Sequence, residues 1–380
     1  MKVFSAILVY LALTIFVSFG QERYSFSFSN QSSYFVNYNR NNDFPIWLGA
    51  REIPQLNQSL FLGKDYSLDF EASANISAST GFEFSNYDIE YDGRIKPYRF
   101  WGRFSSNQFE LRLGLQKINF GSASLLRPLM WFDQVDPRDP LQLTDGVWGI
   151  LGRYYFLNNT NIWLWGLYGN DGPKTWEIGQ TSKGTPEFGG RIQTPMPAGE
   201  IAVSFHHRNS NTQNLLYLPN VEDISENRIG IDGKWDLIVG LWFEAAVIHK
   251  GKDLGIFTNQ NIATFGTDYT FGIGNGLYAA FEQLFFSMDK DLLEFANKKY
   301  FSAASLSYPL DIFNNLSAMV YYDWSNKNYY NFLNFQHSRD NVSFFIMAFW
   351  NPETFNLPQQ NEASKLFAGR GMQLMVVYNY

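Results

Sequence analysis

Apolar and polar residues alternate with a period of two over most of this chain. Leu68, Phe70, Ala72, Ala74, Ile76 and Ala78 alternate with Asp69, Glu71, Ser73, Asn75, Ser77 and Ser79. Tyr87, Ile89, Tyr91, Gly93 and Ile95 alternate with Asp88, Glu90, Asp92, Arg94 and Lys96. The same spacing returns at Phe109–Gln116, Glu200–His206, Arg228–Trp235, Leu316–Trp324 and Met372–Tyr380. Such alternation is the mark of strands with two unlike faces, and a helical period is almost absent. Near Met319 and Tyr321 the polar face is blurred by large apolar residues.

The longest break in the rhythm follows Gly121. Ser122–Pro140 carries Pro128, Pro137 and Pro140, so it cannot continue a strand ladder. It also gathers Leu125, Leu126, Leu129, Met130, Trp131 and Phe132 within eight positions. A long unstructured connection in a compact domain is usually functional. A water-exposed loop would leave this apolar cluster uncovered, so the segment 119–146 is expected to fold inward.

Connection lengths alternate as well. Counted from Leu68, short turns near Asn107, Asn158, Gly199, Val239, Gly276, Phe313 and Asp340 alternate with longer loops, the loop near Asn326 being the short exception. The expected architecture is an all-β, closed antiparallel up-and-down transmembrane barrel of about 16 strands (range about 14–18), with short periplasmic turns and long external loops. Residues 67–380 carry it. Residues 21–66 form either an arm or extra strands, Tyr24–Ser29 pairing with Tyr34–Asn39 in the latter case, before the break at Asn41–Pro45.

Composition sharpens this picture. Aromatics are 18% and charged residues 17% of the chain, yet mean hydropathy is only −0.24. Lipid-facing and lumen-facing positions that alternate, with aromatic girdles, account for both. Residues 1–20, with Lys2 and the apolar run Val3–Val17, read as an export signal ahead of the outer membrane. There is no cysteine, which removes disulfides and thiolate metal sites. The net charge of −7 argues against nucleic acid.

Leu113–Gly121, followed by Arg127-Pro128-Leu129 and Asp136-Pro137-Arg138-Asp139, resembles a motif of outer-membrane porins of the alginate-export type. The resemblance covers roughly forty residues and departs from the family at Leu115, where an arginine is more usual. Phe44–Leu48 is more distantly similar to the start of capsule-assembly outer-membrane lectins. These resemblances imply a channel for small polar, anionic or saccharide solutes, or a surface-polysaccharide barrel without an open pore. The terminal strand with Tyr378 and Tyr380 resembles the signal read by the barrel assembly machinery. Lipid and lipopolysaccharide are the other expected partners, and the oligomeric state stays open.

Candidate chemistry follows from the register. Asp69, Glu71, Asp88, Glu90, Asp92, Arg94, Lys96, Glu110 and Arg112 are expected on the lumen wall, where opposed charges tune selectivity. Arg127, Asp133, Asp136, Arg138 and Asp139 are expected to line a constriction made by the loop, or to pair among themselves. No serine-nucleophile elbow, phosphate loop or zinc-protease helix occurs, so no catalysis, cofactor or metal is expected. His206 and His207 point to opposite walls of one strand and cannot share a metal.

Overall fold

The structure, a computed structural model, describes residues 24–83, 87–213, 215, 218–354, 357 and 366–380. The expected export signal lies outside these residues. The strands are β1 (Tyr24–Asn39), β2 (Ile46–Leu62), β3 (Tyr66–Phe82), β4 (Ile89–Ser105), β5 (Phe109–Gln116), β6 (Val147–Tyr155) and β7 (Asn161–Leu167). A two-residue β8 (Gln180–Thr181) follows, then β9 (Glu187–Met196), β10 (Gly199–Asn211), β11 (Ile224–Asp236), β12 (Gly240–Lys250) and β13 (Asn259–Phe271). The chain ends with β14 (Leu277–Asp289), β15 (Lys298–Pro309), β16 (Asn314–Asp323), β17 (Asn328–Arg339), β18 (Val342–Trp350) and β19 (Arg370–Asn379).

Each strand pairs antiparallel with its neighbours, and β1 pairs with both β2 and β19, so the sheet closes on itself. With β8 lying aside on the end of β10, eighteen strands form the wall. The sixteen expected from Leu68 onward are all present, and two more precede them. Tyr24–Asn39 is a single strand, not the hairpin of Tyr24–Ser29 with Tyr34–Asn39; its partner is Ile46–Leu62, across the turn at 40–45. Tyr380 follows β19 and exchanges backbone hydrogen bonds with Asn30 at 2.9 and 3.0 Å, completing the seam.

Register explains the two faces. Leu111 and Leu113 on β5, and Val320 on β16, are exposed on the outer face, where Leu164, Ile229 and Phe265 also stand. A continuous apolar exterior of this kind is the surface a closed barrel presents to lipid. On β4 a bulge at Tyr98 interrupts the alternation: Ser73 pairs with Arg99, but Ala74 pairs with Pro97. Pro97, which cannot donate to the ladder, sits at this irregularity. Below it, Arg99, Trp101 and Arg103 take the inward positions.

The interior is not an open cylinder. On every one of the eighteen wall strands at least one inward side chain is buried, from Asn37 on β1 to Gln373 on β19. Three connections at the long-loop end supply the cover. Ile118, Phe120, Leu129, Trp131 and Phe132 of segment 117–146 pack on Leu151, Trp165 and Ala246 of the wall. Leu125 and Leu126 join a second core with Ile262, Leu284, Tyr321, Phe345 and Met375. Trp176 of 168–186, and Leu357 and Phe367 of 351–369, pack against the same core. This is why the inner face of β15–β19 is apolar and the alternation blurs at Met319 and Tyr321.

Candidate functional site

The in-folded segment is gripped by carboxylates of the opposite wall. Glu282 on β14 accepts hydrogen bonds from the backbone amides of Ser124 (2.7 Å), Leu125 (3.0 Å) and Leu126 (2.5 Å), and from the Trp242 indole at 3.0 Å. Glu244 on β12 accepts the amides of Ala123 (2.6 Å) and Leu129 (3.0 Å). Both carboxylates are fully buried. A prolyl-containing turn presents several unpaired amides in succession, and a buried carboxylate satisfies them with charge-assisted bonds. Gly121, at φ +105°, lies so close to Glu244 that a Cβ there would collide with the carboxylate.

Of the two arrangements expected for the loop charges, the ion pairs follow the second, mutual pairing. Arg127 pairs with Asp133 at 3.0 Å, and its guanidinium also donates to Asn119 Oδ1 at 2.9 Å. Arg138 forks onto Asp136 at 2.6 and 2.7 Å and lies over the rings of Tyr321 and Phe332. Arg127, Asp133, Asp136, Arg138 and Asp139 are each at most 8% exposed. Arg127 and Asp133, and Arg138 and Asp136, neutralise one another inside the packed plug, as buried charges do. Burial pushes the Asp139 carboxyl above the ordinary carboxylate range.

A second charged layer locks the neighbouring loop. Glu177 of 168–186 reaches Arg228 at 2.7 Å and Arg208 at 3.1 Å, and both arginines also bind Glu226 on β11. On the same side Arg191 chelates Asp232 at 2.5 and 2.9 Å, while Ser122 of the loop donates to Asp232 at 3.2 Å. His206 is buried against Glu187 and Trp165, whereas His207 faces outward and contacts Asn227. Among the described residues no cluster suited to a metal ion is present.

Toward the short-turn end the wall is wetter. Asp69, Glu110 and Arg112 face the lumen, joined by Arg103 and Arg153. Arg103 reaches Asp69 at 3.1 Å, and Arg112 reaches Glu110 at 2.9 Å. The Arg103 side chain is 32% exposed, and those of Arg112 and Arg153 about half that. The Arg112 guanidinium lies 4.6 Å from the ring centre of Trp101, and that of Arg153 lies 3.9 Å from Trp163. Glu71, partly buried, belongs to the same inner row. Asp88 does not: it precedes β4, in the connection from β3. Glu90, Asp92 and Arg94 keep the inward register but stand exposed high on β4, where Asp92 and Arg94 pair at 3.1 Å. Lys96 binds Asp145 of the in-folded segment at 2.7 Å.

Glu244, Glu282 and the Arg208–Glu226–Arg228 group were not singled out from sequence. Glu244 stands alone among apolar neighbours and Glu282 between Phe281 and Gln283, on strands without clean alternation, and the loop they meet was not legible. Arg103 was missed because the bulge at Tyr98 resets the inward positions of β4; Pro97 within a strand was the available signal.

No protein-family model matches the chain, and no curated protein matches it in sequence. Solved structures do share its fold. The anion-selective porin from Comamonas acidovorans superposes with a TM-score of 0.51 at 10% identity, covering 94% of this chain and 100% of that one. OmpF of Salmonella typhi, solved in complex with daunomycin, gives a TM-score of 0.50 at 10% identity, covering 95% of this chain and 99% of that one. At this identity the likeness is one of fold: a large closed antiparallel porin-type barrel.

Proposed function

We propose that this protein is an outer-membrane channel for passive diffusion of small polar solutes, with segment 117–146 governing its bore. The observation that carries this reading is the grip of Glu244 and Glu282 on the backbone of that segment, inside a barrel with an apolar exterior. A loop held by two wall carboxylates sets the free cross-section of a lumen that an eighteen-stranded wall would otherwise leave wide. The mixed row of Asp69, Arg103, Glu110, Arg112 and Arg153, with Trp101 and Trp163 beneath the guanidinium groups, suits solutes rich in hydrogen-bonding groups, saccharides and small anions among them. The resemblance to alginate-export porins points to the same solute class.

Single-channel recording in planar bilayers tests the proposal. The intact chain is expected to conduct weakly, and deletion of Ser124–Asp139 to raise conductance several-fold while the barrel still assembles. A second reading is favoured by the burial of Arg127, Asp133, Asp136, Arg138 and Asp139: a barrel whose plug stays closed and whose outer loops bind surface polysaccharide. Unchanged conductance on deletion, with loss of retention on a glycan column, would select that reading over the channel.

A further inference from the structure

The two sides of the lumen differ in chemistry. The charged row of Arg103, Arg112 and Arg153 lies on β4–β6, whereas β17 stands seven strands from β5 around the closed ring. There β16–β18 turn an apolar inner face toward the plug, and between this face and residues 137–142 lies a cavity of about 210 Å³. Phe332, Phe345, Phe349, Phe367, Met319 and Met347 supply its apolar lining. Phe367 stands edge-on to Phe332 and Phe349, with ring centres 5.9 and 5.3 Å apart. Phe332, Phe349 and Phe367 are buried, and Ser317, Asn334 and Gln336 at the other end are half-buried. Because β17 runs from Asn328 down to Arg339 at a short turn, the cavity opens toward the short-turn end of the lumen.

Three features bear on what such a cavity takes. Asn334 donates through Nδ2 to Ser317 Oγ at 3.5 Å, while its Oδ1 is buried and accepts no hydrogen bond among the described residues. A buried acceptor left unpaired is costly, and a guest that carries a donor removes the cost. The ionisable side chains on the lining are already engaged: Arg138 forks onto Asp136, and Asp139 accepts the Leu141 amide at 3.0 Å. A charged guest therefore finds no counter-ion here, and burying it would go uncompensated. At the edge of the cavity Gln142 holds φ at +45°, with its amide donating to the Asp139 carbonyl at 3.0 Å. Backbone strain of this kind gathers at ligand clamps.

We infer that this cavity is a binding site for a small uncharged aromatic molecule that carries one hydrogen-bond donor, of the phenol type. Size supports a single ring: a cavity of about 150 Å³ lined by Leu, Ile and Phe takes benzene, so this one holds a benzene ring with a small substituent. The lining supports an aromatic guest over an aliphatic one. Ring edges and faces pair with a further ring, and the thioethers of Met319 and Met347 favour contact with it. The donor answers Asn334 Oδ1. A mostly apolar concavity with one or two convergent polar groups is the usual form of a small-molecule site. This site goes beyond the channel reading: it lies away from the charged row and requires no ion flow.

The test uses the full chain in lipid nanodiscs, with 4-fluorophenol as the probe and fluorine NMR as the readout. The parent is expected to give a saturable shift above the linear uptake of probe by lipid. Met347→Trp, which fills the cavity, is expected to abolish the saturable part; Ser317→Trp at the mouth replaces it if that variant loses heat-modifiable migration. Asn334→Leu is expected to weaken 4-fluorophenol about fivefold and to leave fluorobenzene unchanged, because only the partner of the donor is lost. No saturable shift in the folded parent overturns the proposal, as does a shift that survives the tryptophan variants. Readier displacement of the probe by benzoate or decanol than by phenol overturns the assigned class, as does equal weakening of both probes by Asn334→Leu. Binding is read without ion flow, so a parent that binds the probe and does not conduct removes the channel reading and leaves this site standing.

Discussion

Glu282 accepts the backbone amide of Leu126 at 2.5 Å, across 156 residues of sequence and from the opposite side of the barrel. The same carboxylate holds Ser124 and Leu125, so a single wall side chain fixes the tip of the in-folded segment. Removing a partner from buried amides costs about 1–3 kcal/mol for each group left unsatisfied. Glu282→Ala is therefore expected to free the tip, giving larger and noisier single-channel currents than the parent. Currents identical to the parent would show that the tip is held by its apolar packing alone.

Gly230 on the inner wall of β11 makes room for the same segment from another direction. A Cβ at this position would collide with Leu129 and lie 3.1 Å from Trp131. Overpacking of this kind costs about 1–3 kcal/mol. Gly230→Leu is expected to displace Leu129 and Trp131 from the wall, detected as faster cleavage within 117–146 by protease added to folded barrels. Cleavage no faster than in the parent would mean that the wall moves instead.

The wetted arginines offer a charge-based prediction. Arg112 is joined to Glu110, with Arg103 and Arg153 also within 4 Å of that carboxylate. Arg112→Glu replaces a cation by an anion in this row, so the reversal potential in a salt gradient should move toward cation preference. The shift should shrink at high ionic strength, because partly exposed charges are screened over a Debye length of about 10 Å at 0.1 M salt. A reversal potential that does not move would exclude this row from the ion path.

Closure of the barrel depends on its last residues. Tyr378 pairs with Ser32 and Val342, and Tyr380 exchanges hydrogen bonds with Asn30. Deleting Tyr378–Tyr380 exposes backbone groups of β1 at the seam, and removes the terminal aromatics that we propose as the assembly signal. The truncated chain is expected to accumulate in the periplasm, with at least a several-fold loss from the outer-membrane fraction. Normal membrane levels would count against both roles.

Much of this architecture was written in the period-two pattern itself. A barrel strand stands between two unlike environments, so alternate residues declare their faces without knowledge of any neighbour. That is why the strands from Leu68 onward, the alternation of short and long connections, and the lumen direction of Asp69, Glu110 and Arg112 could be read directly. The inward fold of the segment after Gly121 was legible for a related reason, since Leu125 to Phe132 demanded burial that a solvated loop could not provide. What the tertiary structure alone decided is which surfaces meet. Tyr24–Asn39 proved to be one strand because β2 and β19 extend its ladder through the polar stretch at Ser29–Ser33, which read locally as a break. The bulge at Tyr98 turned Arg99 and Arg103 inward against the alternation set by Arg94 and Lys96. From sequence, Arg127, Asp133, Asp136 and Arg138 could line a constriction or pair among themselves. Once the apolar wall of β15–β19 and the carboxylates of Glu244 and Glu282 closed around their loop, the low-dielectric surroundings left mutual pairing as their stable arrangement.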